Sequence, residues 1–280
     1  MSARLPVLLL SVLLLFCAVA LFSLLTTAMA TQQQTAARET IDKVSQVFEA
    51  AEPIYEELKQ YVAELNEDND DVADDEDIDL DEAEAEIQQV VDIVAQLDEL
   101  LSELSSLPAD INTSEGKTVL AAREYLTMLK DMSQDLIELL RYALDLYNGI
   151  LLLDGIDADP ASFQDFAQSL RIATFSTLGH LERITPPHYM ALSHEDLIKH
   201  LRDFNELAAD FIRAADNDDP LRINSCINRI GRIARMLDRY TDNLIADSDL
   251  QTKQAESRLE GPIALLHREL EQNLNLLKSS

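Results

Sequence analysis

A chain of 280 residues with 47 % hydrophobic side chains carries enough apolar material to fold around a core. Six glycines, eight prolines and no tryptophan supply too little turn material for an all-β fold of many short strands, so a helical protein is expected. The 52 acids against 22 bases leave a formal charge of −30, and so acidic a surface repels phosphates, which speaks against nucleic acid as a partner.

The first element is an uncharged run of 21 residues, Leu5 to Leu25. As a helix rising about 1.5 Å per residue it extends ~32 Å, enough to cross a bilayer core of roughly 30 Å. Arg4 and the α-amino group are the positive charges ahead of it, which keeps the tip in the cytoplasm and places the rest outside. Residues 1–30 are therefore read as a transmembrane anchor, through which the membrane is a partner, and 31–280 as an extracytoplasmic body. The alternative is a cleaved secretory signal, because Ala28 and Ala30 are small residues placed for a signal peptidase; the body is then secreted. The two cysteines are Cys17, inside the apolar run, and Cys226, flanked at helical spacing by Ile223, Ile227 and Ile230. That spacing predicts a buried, inert thiol and no disulfide within the body.

Apolar residues at steps of three and four predict a helix over 33–65 (Ile41, Val44, Phe48, Tyr55, Leu58, Val62), bent or split by Pro53. A second stripe runs from Ile87 to Leu104 and ends before Pro108. The third, from Glu115 to Leu153, carries one seam through Leu126, Leu129, Leu136 and Leu140 and another through Met132, Leu139, Leu146 and Leu153, which calls for neighbours on two sides. Asp159 and Pro160 read as a helix start, the helix running to Arg183 before Pro186 and Pro187. Ser193 to Asp196 resembles a capping box opening a helix through Phe211, and Asp219-Pro220 opens another through Leu244. A last short helix is expected after Pro262. The fold class is thus all-α: an antiparallel bundle of six or seven helices after an N-terminal transmembrane helix, with two loose halves sharing one core.

Charge is distributed unevenly. Residues 60–116 hold 20 acids and no Lys or Arg, and their centre, about 66–78, is expected to be a solvated acidic loop. Overlapping its end, Asp75, Asp77, Asp79 and Glu86 take the first, third, fifth and twelfth places of a calcium loop, although Leu80 stands where glycine makes the sharp turn. Ca2+ is therefore the one cofactor considered, against the reading of a plain acidic linker. In the opposite sense Arg222, Arg229, Arg232, Arg235 and Arg239 recur three, four or seven apart, a basic stripe expected to meet internal carboxylates or, alternatively, to form an anionic-ligand or partner-docking face.

The five histidines lack the Glu-x-x-His spacing of di-iron bundles and the His-Glu-x-x-His zinc motif. Nor is there a Gly-x-Ser-x-Gly elbow, so no catalytic residue is assigned and no enzyme is expected. Pro186 and Pro187 end one helix, and His194, in the first turn of the next, is placed to hydrogen-bond the turn backbone.

This stretch, Ile184-Thr185-Pro186-Pro187, His194 heading a long helix, then Asp216 to Asp219 and another long helix, resembles uncharacterised exported or membrane-anchored bacterial helical-bundle proteins over about residues 181–245. The resemblance implies a helical hairpin, opened by a Pro-Pro turn and a histidine, on the outer side of a bacterial membrane, and it implies no activity. The chain departs from lipid-anchored members in having Leu14, Leu15 and Phe16, not small residues, before Cys17. The function expected is a non-enzymatic binding or scaffold protein of the cell envelope, with an envelope protein as partner. The alternative is a sensor-like bundle holding a small ligand, or a weak calcium binder. The oligomeric state is left open by the sequence.

Overall fold

A computed structural model describes residues 34–66, 79–156 and 162–279. Among these residues every regular element is a helix. Helix α1 covers 34–66, α2 Leu80–Ser105, α3 Ser114–Leu151, α4 Phe163–Leu181, α5 Ala191–Asp216, α6 Pro220–Arg258 and α7 Ala264–Lys278. A 3-10 turn, Leu152–Gly155, follows α3, and a π-turn, Leu259–Ile263, joins α6 to α7. The N-terminal apolar run and the acidic stretch 67–78 lie outside the described residues.

The chain forms two compact units, each drawn from distant stretches, and not the sequential halves expected from the break near Gly155. One gathers the described parts of Met1–Pro53, Asp98–Thr127 and Ala264–Ser280; the other holds those of Ile54–Leu97 and Met128–Ile263. In the first, Phe48, Tyr125 and His267 form an aromatic cluster with centroids 4.8 to 5.9 Å apart. Helix α2 has no base in its last turn; its carbonyls at Leu104 and, just beyond, Leu107 accept from the Arg123 guanidinium at 2.7 and 3.1 Å instead.

The second unit is built on α5, which packs against α4 on one side and α6 on the other. Its first half, with Leu197 and Leu201, joins Leu139, Tyr142 and Leu146 of α3 and Leu178 and Leu181 of α4. Its second half, with Phe204, Leu207 and Phe211, meets Ala167 and Leu170 of α4 and Cys226 of α6. Full burial of each such side chain contributes about 1.5–3 kcal/mol, which outweighs the weak intrinsic propensities of the helices concerned. Helix α3 comes close to α4 at Gly149, where a methyl group would lie 2.6 Å from the Leu181 side chain.

Several boundaries differ from the sequence expectation. Pro53 neither splits nor ends α1, which runs through it between the buried residues Ala51, Ile54 and Tyr55. An interior proline costs about 3 kcal/mol, an amount the burial of two such neighbours offsets. Helix α4 starts at Phe163, not beside Pro160: Ser162 is the N-cap, its hydroxyl accepting from the Asp165 amide at 3.1 Å. Asp159 and Pro160 fall outside the described residues. Helix α5 begins at Ala191, ahead of Ser193, because a turn carrying the Met190 amide to the Pro187 carbonyl, 2.9 Å, already sets the entry and buries the Met190 side chain. Asp219 does cap α6, accepting from the Arg222 amide at 3.1 Å with Pro220 in the first turn. Helix α6 continues past Leu244 to Arg258, and Pro262 sits inside the π-turn, where the wider ladder accommodates its missing N–H.

Candidate functional site

The turn between α4 and α5 leads to a buried imidazole of the second unit. Pro187 is buried and Pro186 half-buried, and His194, in the first turn of α5, is 4 % exposed. Its Nε2 lies 3.2 Å from the Leu181 carbonyl oxygen and its Nδ1 3.1 Å from the Tyr142 hydroxyl. A carbonyl only accepts, so Nε2 carries the proton and Nδ1 accepts from Tyr142. Burial pulls the His194 pKa below 6.5, opposed by the bond to Leu181, and burial pushes Tyr142 up to about 12. Both groups are therefore neutral, with each ring nitrogen occupied. The pair ties α3, α4 and α5 together and leaves neither nitrogen free for a reacting atom.

The arginines of α6 separate into two groups. Arg222 and Arg229 flank α5, where Asp210 is the shared carboxylate: it accepts from Arg213 and lies 3.8 Å from Arg229. The Arg213 hydrogen bond holds the Asp210 carboxyl below its ordinary range against the opposing effect of burial, and the charges of Arg213, Arg222 and Arg229 add to the lowering. Arg232, Arg235 and Arg239 are exposed, and at 100° per residue they point away from Cys226 and Leu244, the buried side of the helix. The single stripe read from the sequence is thus an internal clasp followed by a solvent-facing patch. Cys226 is 3 % exposed; burial, then Asp210, pushes its thiol pKa up, opposed by Arg229 and Arg222. An unreactive thiol is the result.

Two of the calcium candidates, Asp75 and Asp77, fall outside the described residues. Asp79 instead caps α2, accepting from the amides of Asp81 and Glu82 at 3.0 and 3.4 Å. Glu86 accepts from the Tyr61 hydroxyl at 3.5 Å, and burial together with this carboxylate pushes the Tyr61 pKa up. Among the described residues no three His, Cys, Asp or Glu side chains are grouped to hold a metal ion.

One surface was missed by the sequence reading. On α4, Ile172 and Phe175 are 67 % and 66 % exposed, and Gly179, one turn beyond Phe175, has no neighbour in reach of a side chain. The signal was present: apolar residues occur all round this helix, where a surface helix has one apolar stripe. The cavity beneath Tyr189, between Met132, Leu136, Leu139 and Ala255, is about 20 Å³, room for a single water. No family model, curated protein or solved structure matches the chain.

Proposed function

We propose that the chain is a membrane-tethered, extracytoplasmic helical scaffold that binds an envelope protein through an outward helix face and carries out no catalysis. The observation that supports it is the apolar ridge of α4, where Ile172 and Phe175 stand in solvent three residues apart. Leaving two such side chains exposed forgoes roughly 3–6 kcal/mol of burial, a loss that a partner restores. Gly179 keeps the ridge flat and open to a close approach. Tethering rests on the charge-free run Leu5–Leu25; no described helix is long and apolar enough to cross a membrane.

Two arms of one experiment test this reading. In intact cells, a photo-cross-linking amino acid at Phe175 yields one discrete adduct, absent when the probe is at exposed Glu206, and Ile172→Asp abolishes it. In sealed membrane vesicles of right-side-out orientation, protease digests the body without detergent. Identical smears from both probe positions exclude the docking ridge, and full protease protection excludes the outside location.

A further inference from the structure

The outward face of α4 is complementary to itself. Leu170, Thr174 and Leu181 mark the buried side of the helix, and at 100° per residue the opposite side carries Asp165, Gln168, Ile172, Phe175, Gly179 and Arg183. Successive members are three or four residues apart, the spacing by which two helices pack side by side. The midpoint between Ile172 and Phe175 falls within one residue of the midpoint between Asp165 and Arg183, so one two-fold axis serves both pairs. In an antiparallel pair about that axis, Ile172 meets Phe175 of the other copy and Gln168 meets Gly179, where there is open space for it. At each end an Asp165 carboxylate meets an Arg183 guanidinium.

The end charges are not committed elsewhere. Asp165 accepts from the Ser162 hydroxyl at 2.7 Å and Arg183 donates its Nε to the Gly179 carbonyl at 2.8 Å, and among the described residues neither forms an ion pair. Glu182, the like charge that comes nearest Asp165 in this pairing, is already held by Arg202 of its own chain at 2.6 Å. Arg171 stands about 100° round from Ile172, on the flank of Glu182, and on the other flank His180 reaches the α3 backbone at Asp145, 3.0 Å. Residues 160–194 hold two acids, Asp165 and Glu182, and two bases, Arg171 and Arg183, so in a chain of net charge −30 a second copy meets little local repulsion here. Resting on the reading of the α4 ridge as a docking surface, we infer that its partner is a second copy of this chain, seated antiparallel on α4 about a two-fold axis. The contact is one helix wide, below the ~800 Å² per partner of a standard interface, so the pair exchanges and a covalent trap is the suitable readout.

The test traps the pair in isolated membranes. Cells co-produce two differently tagged full-length variants, Asp165→Cys and Arg183→Cys, each also carrying Cys17→Ala so that buried Cys226 is the one native thiol left. Mild oxidation links one copy of each tag. Either variant produced alone under both tags stays unlinked, because like positions lie ~27 Å apart along the helices, far beyond the roughly 7 Å between Cα atoms that a disulfide spans. Ile172→Asp in both chains abolishes the link. Arg183→Glu added to the first variant cuts the yield at least ~3-fold by turning the remaining ion pair into a repulsion, and Asp165→Arg added to the second restores it. Each purified variant keeps the helical circular dichroism of the parent. A link formed by either variant alone as strongly as by the two together, no link from the folded pair, or a yield indifferent to Ile172→Asp or to the charge exchange overturns the proposal. A Phe175 adduct with a different protein, in place of one of twice the chain's mass, also overturns it while leaving the docking ridge standing. Identical smears from the Phe175 and Glu206 probes remove the ridge itself.

Discussion

His194 cannot gain a proton without altering a hydrogen bond that holds three helices together. Its Nδ1 accepts from Tyr142, so protonation there turns an acceptor into a donor inside a buried cluster. Because burial lowers the folded pKa below 6.5, the unfolded chain binds more protons between the two values, and stability rises with pH over that interval. Urea unfolding therefore gives a stability that falls as the pH drops below about 6.5 and levels off once the folded pKa is passed. His194→Gln, which keeps a donor and an acceptor, flattens that slope; an unchanged slope in the variant would assign the effect to other groups. The backbone role of His194 was legible because two prolines followed by a helix start set a turn that needs a partner. Tyr142 was not legible: it lies 52 residues away, outside both apolar seams read in α3, and no local pattern links it to the histidine.

Helix starts separate what local chemistry decides from what packing decides. Asp219-Pro220 was readable because a cap and a proline agree at one position, and Asp219→Ala should destabilise the fold by about 1 kcal/mol in thermal unfolding. Ser193 has the same outward credentials but lies inside α5, its hydroxyl directed to Asp247 at 3.2 Å. Ser193→Ala should therefore change stability by less than about 0.5 kcal/mol, as a substitution away from a cap does; a loss equal to that of Asp219→Ala would return the helix start to Ser193. The same competition explains Pro53: its local preference is to break a helix, and burial on either side prevails. Helical periodicity pointed to most of the described helices, since each repeats over many residues, while α4 was read from the start and stop signals on either side of it. It could not identify α4's outward ridge, because Ile172 and Phe175 add to an apolar count without stating which side is covered.

At the scale of the whole molecule, the sequence made the class of fold and the location of the charge plain, while the grouping into two units depends on which distant stretches pack together. Twenty acids without a base between residues 60 and 116 repel one another in the folded state more than in an extended chain. Added salt screens that repulsion, so raising ionic strength from ~0.02 M to ~0.3 M should raise the melting temperature by a few degrees. A melting temperature that falls over this range would show that internal ion pairs such as Arg258–Asp135, at 2.7 Å, outweigh the repulsion. The sealed position of Cys226 carries a different implication. Within the described body nothing covalent depends on glutathione or oxygen, so the helices need no oxidase to mature, and a change of compartment neither adds a crosslink to the fold nor removes one.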